Sequence, residues 1–580
     1  MWTGSQRSFA MNKKPSSISL LSPDGNTDSF RTLPNTVIHD LGLDSICSTI
    51  TNDPKEQRLI LEILSNMSPD PHTAEFRQQV FADILALPEL REKMTKLFDK
   101  LEFIRNFGTV AKSTDEKLGL WYLLHRLDEL NDYIVCVEAM RECLSDTAIS
   151  SEGLIRFREY IDYLYNEACF AEMKKDIADL KARSVDIQSV TLGVNVNDKF
   201  EAVSMGLISV NNKPFKKSGI LNNFADAINS KDKINNGNDW DGDMHYHQIE
   251  RNDTADPAAF INKTAGFLAM SRNPFLDAFT RSTIVNMPDS DTSSSFTLYL
   301  DKIVNKLLDS LIKRLRDVLS KYVDVAIADI TRQIPEFLYY IRFAEFISSC
   351  TEKGFPFCKA EISDDPDVRM DAKGLFNLKL AVNMDNADEI VFNDLRFDKD
   401  NAIYILTGAN RGGKTTITQA IGQLYALAQG GITVPASSFR FAPVDCIYTH
   451  FPADEDKTMD LGRLGEECVR FKDIYSSCTE NSLILLNETF STTSFEEGYY
   501  IAKDSIKALT AKNVRTIYNT HMHKLAENTD EFGHNVSSLI MKSENGKRSF
   551  KVKCAPPEGS SYAHDIAEKY GVTYEMLING

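Results

Sequence analysis

The 580-residue chain contains no run of about 18 apolar residues, so no segment reaches the length of a transmembrane helix. Its ten cysteines include no C-x-x-C pair, and Cys350 and Cys358 have no His or Cys nearby to complete a zinc set. That spacing argues against a zinc ribbon and a secreted disulfide scaffold, and reduced thiols suit a cytoplasmic or nucleoid-associated setting. Basic excess is missing too. A net charge of −18 argues against a protein coated by a basic face, which leaves only a local patch for DNA. The first residues, "MWTGSQRSFAMNKKPSSISLLSPDG", hold no secretory apolar core, and Met11 offers a second start. No short-period repeat or long heptad run is found.

What is present is helical periodicity, an interruption, and then an alternating pattern. Residues 1–35 are rich in Ser, Asn and Pro and predict a mobile tail. Over 36–184 apolar residues recur every three or four positions, predicting several long helices. Residues 185–290 open with the Val- and Thr-rich "SVDIQSVTLGVNVNDKFEAVSMGLISV", which predicts strands, and continue into a polar Gly/Asn/Asp-rich loop. Helical periodicity returns over 291–370, and strands and helices alternate over 371–580, as in a parallel α/β sheet. The expectation is a multidomain chain: an all-α body with a β-rich insert, followed by an α/β nucleotide-binding domain.

The chemistry concentrates in that last part. "TGANRGGKTTITQA" (407–420) follows the apolar "AIYIL" and satisfies G-x-x-x-x-G-K-S/T through Gly408, Gly413, Lys414 and Thr415. Such a loop turns backbone N–H groups toward a polyphosphate, and the helix after it adds its positive end. Lys414 would reach the β- and γ-phosphates, and the Thr415 hydroxyl would ligate Mg2+. In "NSLILLNETFSTTS" (481–494) a short apolar strand ends in Asn487 and Glu488. Asn487 takes the place where such enzymes use a Mg2+-binding Asp, and Glu488 can serve as general base. "VRTIYNTHMHKL" (514–525) is another strand, ending in His521, which can bond a γ-phosphate or orient water. In "DLGRLGEECVRFKDIYSSC" (460–478) a glycine-flanked Arg463 opens a helix suited to completing a second subunit's site.

Taken together these segments resemble the MutS family of DNA mismatch-repair ATPases, a branch of the ABC-type ATPases. "TGANRGGKTT" is similar to the family's T-G-P-N-x-G-G-K-S-T, "LLNETFSTTS" stands where it has D-E-x-x-x-G-T-S, and "YNTHMHKLAE" where it has A-T-H-Y/F-x-E-L. "GQLYALAQGGITVPASSFRFAPVDCIYTHF" and "GSSYAHDIAEKYGV" match two further motifs, so the likeness runs over about 376–575. The helices ahead resemble the family's core and lever, and the β-rich insert its clamp. The resemblance implies that Gly408, Ala409, Asn410, Arg411, Gly412, Gly413, Lys414, Thr415 and Thr416 hold ATP. It also places Thr415 and Asn487 on Mg2+, and Glu488 and His521 with Lys414 at the catalytic centre. Ile390 stands where the family stacks an aromatic on adenine, with Asn393 nearby. It further implies a homodimer in which Gly462, Arg463, Gly465 or Glu467 reaches the partner's nucleotide, and duplex or branched DNA between two arms.

Departures qualify that expectation. Asn487 suggests slow hydrolysis or a site tuned to hold ATP. The stretch before the lever is short for mismatch-reading and connector segments. "FAEF" (343–346) sits in a helical pattern and is expected in the core rather than as a wedge into DNA. The rival expectation is an ATP-held switch acting on protein partners. "NDWDGDMHYHQ" (238–248) fails as a calcium loop, because Gly237 and Gln248 fall where carboxylates are needed. The lysines of "NNKPFKK" and "KSGILNNF" are candidate phosphate contacts at the insert's tip.

Overall fold

The computed structural model describes residues 18–26, 29–105, 120–145, 148–184, 189–196, 198–199, 202–211, 285–286, 309–322, 333–409, 411–452, 462–544, 547–557, 568 and 570–579. Asn410, the lysines of residues 213–217, the loop 238–248 and most of the motif 559–572 lie outside them.

The described chain opens with β1 (Arg31–Thr32), α1 (Asn35–Leu41), α2 (Leu43–Ile50), α3 (Pro54–Ser65), β2 (Asn66–Met67), α4 (Pro71–Ala86) and α5 (Pro88–Arg105). Their boundaries follow local chemistry. Asp53 and Asp70 accept from the backbone N–H groups of Lys55 and Thr73, and a proline fills the first helical position after each. Gly42, at φ 69°, ends α1 in the left-handed conformation. Next come α6 (Leu120–Ser145), α7 (Glu152–Asn166), α8 (Ala168–Ser184), β3 (Ser189–Val196), β4 (Ala202–Asn211), β5 (Val285–Asn286), α9 (Asp309–Leu319) and α10 (Ile334–Glu352). The remainder alternates: β6 (Ala360–Ile362), β7 (Val368–Leu375), β8 (Asn393–Asp398), β9 (Ile403–Thr407), α11 (Lys414–Gln429), β10 (Ser438–Phe441), β11 (Ile447–His450), α12 (Arg463–Ser477), β12 (Leu483–Asn487), α13 (Phe495–Lys512), β13 (Arg515–Asn519), β14 (Val536–Glu544) and β15 (Lys547–Cys554).

Two compact units result, one of residues 96–142 and 161–331, the other of 1–95, 143–160 and 332–580. In the first, Leu127, Leu130, Ile134 and Val137 are buried, as are Met173, Ile177 and Leu180 of α8 and Leu315 and Leu319 of α9. The Tyr322 hydroxyl donates to Asp176 at 2.9 Å, and Arg126 donates to the Tyr322 carbonyl at 2.8 Å. β3 and β4 form an antiparallel hairpin, as the alternating pattern predicts, and β5 adds to the β4 side.

The second unit carries a six-stranded sheet in the order β11-β12-β13-β9-β14-β15, parallel throughout except for β15. A second sheet, β6-β10-β7-β8, mixes parallel and antiparallel pairs. Sheet structure therefore begins at Ala360, ahead of residue 371 where the alternating pattern predicts it. Phe343 and Ala344 of "FAEF" are fully buried in α10.

α11 joins the two sheets' surroundings to the helices. It is buried on nearly every side, and its carbonyl end is met by side chains from α4 and α10. Arg77 Nη1 donates to Gln429 O at 3.0 Å, Gln78 to Ala428 O at 3.4 Å, and the Tyr339 hydroxyl to Gly430 O at 3.0 Å. The bonds to Gln429 O and Gly430 O satisfy carbonyls that a helix end otherwise leaves without partners, and Ala428 O also accepts from Gly431 N at 3.1 Å. Arg77 also donates from Nε to Leu21 O at 2.7 Å. With Tyr340 bonded to Leu20 O at 3.0 Å and Gln333 to Ile18 O at 2.9 Å, residues 18–26 are packed rather than mobile. The short apolar "ISLL" inside the polar stretch is what they bury, with Leu20 fully covered. Replacing Arg77 by Met keeps the bulk and removes the donors. Arg77→Met is expected to destabilise the chain by about 3 kcal/mol, read as a lowered midpoint in urea unfolding.

Candidate functional site

Three adjacent parallel strands, β12, β13 and β9, end together beside the glycine-rich loop. Every residue of the three is buried, and β9 and β12 accordingly read as short apolar runs, whereas β13 buries Arg515 and Asn519. The loop needs its glycines. Gly408 lies at φ 144° and Gly413 at φ 97°, conformations that side chains disfavour. A Cβ at Gly408 would come within 2.8 Å of Met541, and one at Gly412 within 2.8 Å of Ala409 O. Arg411 takes a positive φ of 57° in the same turn.

Lys414 opens α11 with its side chain folded back into the loop. Nζ lies 3.0 Å from Gly408 O, 3.5 Å from Ala409 O, 3.4 Å from His521 Nε2 and 3.9 Å from Glu488 Oε1. Burial lowers its pKa below the ordinary lysine value, while Glu488 opposes that shift. Glu488 follows β12 at φ 53°, a strained backbone held by its N–H donating to Asn519 O at 2.8 Å. Its carboxylate meets His521 Nε2 at 3.0 Å. Next to this group the Thr415 hydroxyl donates to Asn487 Oδ1 at 3.2 Å, and the Asn519 side-chain amide donates to the same oxygen. Lys414, Thr415, Asn487, Glu488 and His521, drawn from three separate segments, are thus brought together.

A cleft of about 600 Å3 opens onto all of these but Asn487, which lies behind Thr415, and it is lined by the loop, Glu488, His521, Ile390 and Asn393 among others. Its apolar side also includes Phe376, Met541 and Phe550. Phe550 stays 43% exposed at φ 55°. The β14–β15 pairing passes from Met541↔Val552 to Ser543↔Arg548, and this bulge turns the ring toward the cleft. Asn393 fixes the bulge: its Nδ2 donates to Phe550 O at 3.1 Å, and its Oδ1 accepts from Val552 N at 2.8 Å. Sequence reading singled out neither Phe550 nor Asn519. A lone aromatic among the charges of "KRSFKVK" was the available signal for the first.

The donor set fits a polyphosphate with a divalent cation. A glycine cradle that side chains would fill faces a buried ammonium. The buried Asn519 Oδ1 and Thr407 Oγ1 have no hydrogen-bond partner among the described residues, so polar demand at the strand ends is unmet.

Gly462, Arg463, Gly465 and Glu467 do not line this cleft. Gly462 and Arg463 are exposed at the start of α12, and among the described residues, chain neighbours apart, no atom lies within 4 Å of where a Cβ on Gly462 would stand. Glu467 turns inward, where burial raises its pKa despite bonds from Thr492 and the Phe490 backbone. Its carbonyl accepts from His450 Nε2 at 3.2 Å, and the Thr489 hydroxyl meets His450 Nδ1 at 3.1 Å. His450 therefore ties α12 to the residue after Glu488.

Residues 404–577 match the family model of MutS domain V, and residues 69–351 match that of the MutS2 N-terminal domain. DNA mismatch repair protein MutS of Lactobacillus gasseri is 26% identical over 365 residues, covering 60% of this chain and 41% of that protein. The MutS of Halothermothrix orenii is 24% identical over 490 residues, 80% of this chain and 52% of its own. That of Macrococcus caseolyticus is 30% identical over 171 residues, 29% of this chain and 20% of its own. The matched stretch thus spans about half or less of each of these relatives. Among the described residues no helix is long and apolar enough to cross a membrane, and no group of three or more His, Cys, Asp or Glu could hold a metal ion.

Burial, with Arg470 nearby, lowers the His450 pKa from 6.5 to about 4. The unfolded chain therefore binds the proton first. Stability is expected to fall as pH drops from 6.5 toward 4, by up to about 3 kcal/mol. Gln at this position keeps one donor and one acceptor without titrating. Denaturant unfolding of His450→Gln across that range should show a shallower slope than the parent.

Proposed function

Because the chain belongs to the MutS family, we infer that its cleft binds ATP with Mg2+ and hydrolyses it. The observation that carries this is the meeting of Lys414, Glu488, His521 and the Thr415–Asn487 pair at the ends of three neighbouring strands. The loop from Gly408 through Thr416, Ala409, Asn410, Arg411, Gly412 and Gly413 included, would cradle the phosphates, with Lys414 against the β- and γ-groups. Thr415 and Asn487 would hold Mg2+, whose charge offsets that building up on the phosphate oxygens. Glu488 would take the proton of the attacking water, and His521, in contact with Glu488, would hold that water or the γ-phosphate. The base would lie between Ile390 and Phe550, an aromatic face supplied by the second wall in place of the aromatic that Ile390 lacks.

The relatives' name, DNA mismatch repair protein, supports DNA as the substrate of the larger machine. We extend this to a homodimer with an ABC-type ATPase at its base, whose nucleotide state opens and closes two lever-and-clamp arms on duplex or branched DNA. The exposed start of α12, with Gly462, Arg463 and Gly465, would face the partner's γ-phosphate, and Glu467 would brace it from inside. One observation favours a second reading: Asn487 offers no charge to the cation. An ATP-held switch with little turnover, acting on protein partners, follows from that.

Steady-state ATP hydrolysis with and without duplex DNA decides between them, with Glu488→Gln as the blank. Stimulation by DNA that disappears in the blank is expected from the first reading. Hydrolysis at the blank's level whatever DNA is added overturns turnover and leaves the switch. In the same preparations Phe550→Ala should weaken ATP binding about tenfold, as loss of a stacked aromatic does.

A further inference from the structure

The cation position in this chain carries an amide, and an amide has a handedness that a carboxylate lacks. A carboxylate presents two equivalent acceptor oxygens whichever way it turns. A carboxamide presents one acceptor and one donor group, and the wrong rotamer points N–H bonds at a cation. An Asn can serve there only if something fixes its orientation.

Asn519 is placed to do so. It is the register partner of Asn487 on the neighbouring parallel strand, so both side chains share one face of the sheet. Its Nδ2 donates to Asn487 Oδ1, the same oxygen that accepts from the Thr415 hydroxyl. Reversing the Asn487 amide would set its NH2 against that donor. Asn519 is fully buried and Asn487 is 7% exposed, so water is poorly placed to substitute. The pair is also a joint departure from the motifs quoted above. Where those have Asp before Glu and Ala before T-H, this chain has Asn487 before Glu488 and Asn519 before Thr520-His521.

We propose that Asn519 is a positioning residue for the divalent cation, holding the Asn487 carbonyl oxygen toward Thr415 so that an uncharged amide can do a carboxylate's work. The assignment rests on the reading of the cleft as a Mg2+–nucleotide site. Asn519 need not touch the metal. Its own buried Oδ1 has no partner among the described residues.

The test is a double-mutant cycle read by binding rather than turnover. Mg2+ is titrated into the full chain with a fluorescent ATP analogue, for the parent, Asn519→Ala, Asn487→Asp and the double variant. With Asn487 present, Asn519→Ala should weaken the apparent Mg2+ affinity by about 10- to 100-fold, the usual effect of losing a partner that orients a ligand. With Asp at 487, the same change should cost less than about threefold. Analogue binding in EDTA by Asn519→Ala should stay within about twofold of the parent's, which separates loss of orientation from loss of fold. Asn519→Leu keeps the volume without the donor and should repeat the result if the Ala variant folds poorly. An equal loss in both backgrounds, or none in either, overturns the proposal while leaving the nucleotide site intact. A parent chain that binds no analogue at any Mg2+ concentration overturns the nucleotide reading, and the proposal with it.

Discussion

The carbonyl end of α11 is the constraint on which the second unit depends. The helix begins at the phosphate-type loop and ends on Arg77, Gln78 and Tyr339. Its length is buried, so its position is set by what meets each end and not by solvent. Arg77 is a fully buried cation whose contacts include the carbonyls of Leu21, Asn66 and Gln429 and the Phe30 ring, 4.8 Å away. A charge in that setting is costly unless every contact is kept. The loop at one end and the helical layer at the other are therefore braced by one rigid rod.

At the loop end, geometry and electrostatics are arranged by three strands ending in register. Parallel pairing aligns Asn487 with Asn519, and Leu406 with Asn519 on the other side. That alignment brings together groups up to 107 positions apart, such as Lys414 and His521. Behind them the neutral His450 links Thr489 to α12. The helix proposed to face a partner is thus tied, within the chain, to the residue following Glu488.

Much of this was legible in the sequence because it is written in local patterns. The glycine loop, the strands ahead of Asn487 and His521, and the helix after Gly462 each announce themselves within a dozen residues. The long helices do so through their periodicity, and the β3–β4 hairpin through alternation. What the sequence hid depends on pairing at a distance. The β6-β10-β7-β8 sheet is made of strands as short as three residues, too brief for a period to register. Residues 18–26 look like a polar tail because their backbone is satisfied by the side chains of Arg77, Gln333 and Tyr340, which lie far along the chain. Phe550 reads as a stray surface aromatic until the bulge turns it. Asn519 looks like any strand-end polar residue until β13 pairs with β12 and sets it beside Asn487.

The bond from Arg77 to Gln429 joins residues 352 positions apart. A contact of that span closes a very large loop, and its entropy must be met before the contact returns anything. During synthesis α4 emerges long before α11 exists, and it must wait with a buried-type arginine and the apolar faces of Phe76, Val80 and Phe81 not yet covered. The two stretches are written far apart and packed together, so a cut between them would leave the carbonyl end of α11 without Arg77 and Gln78.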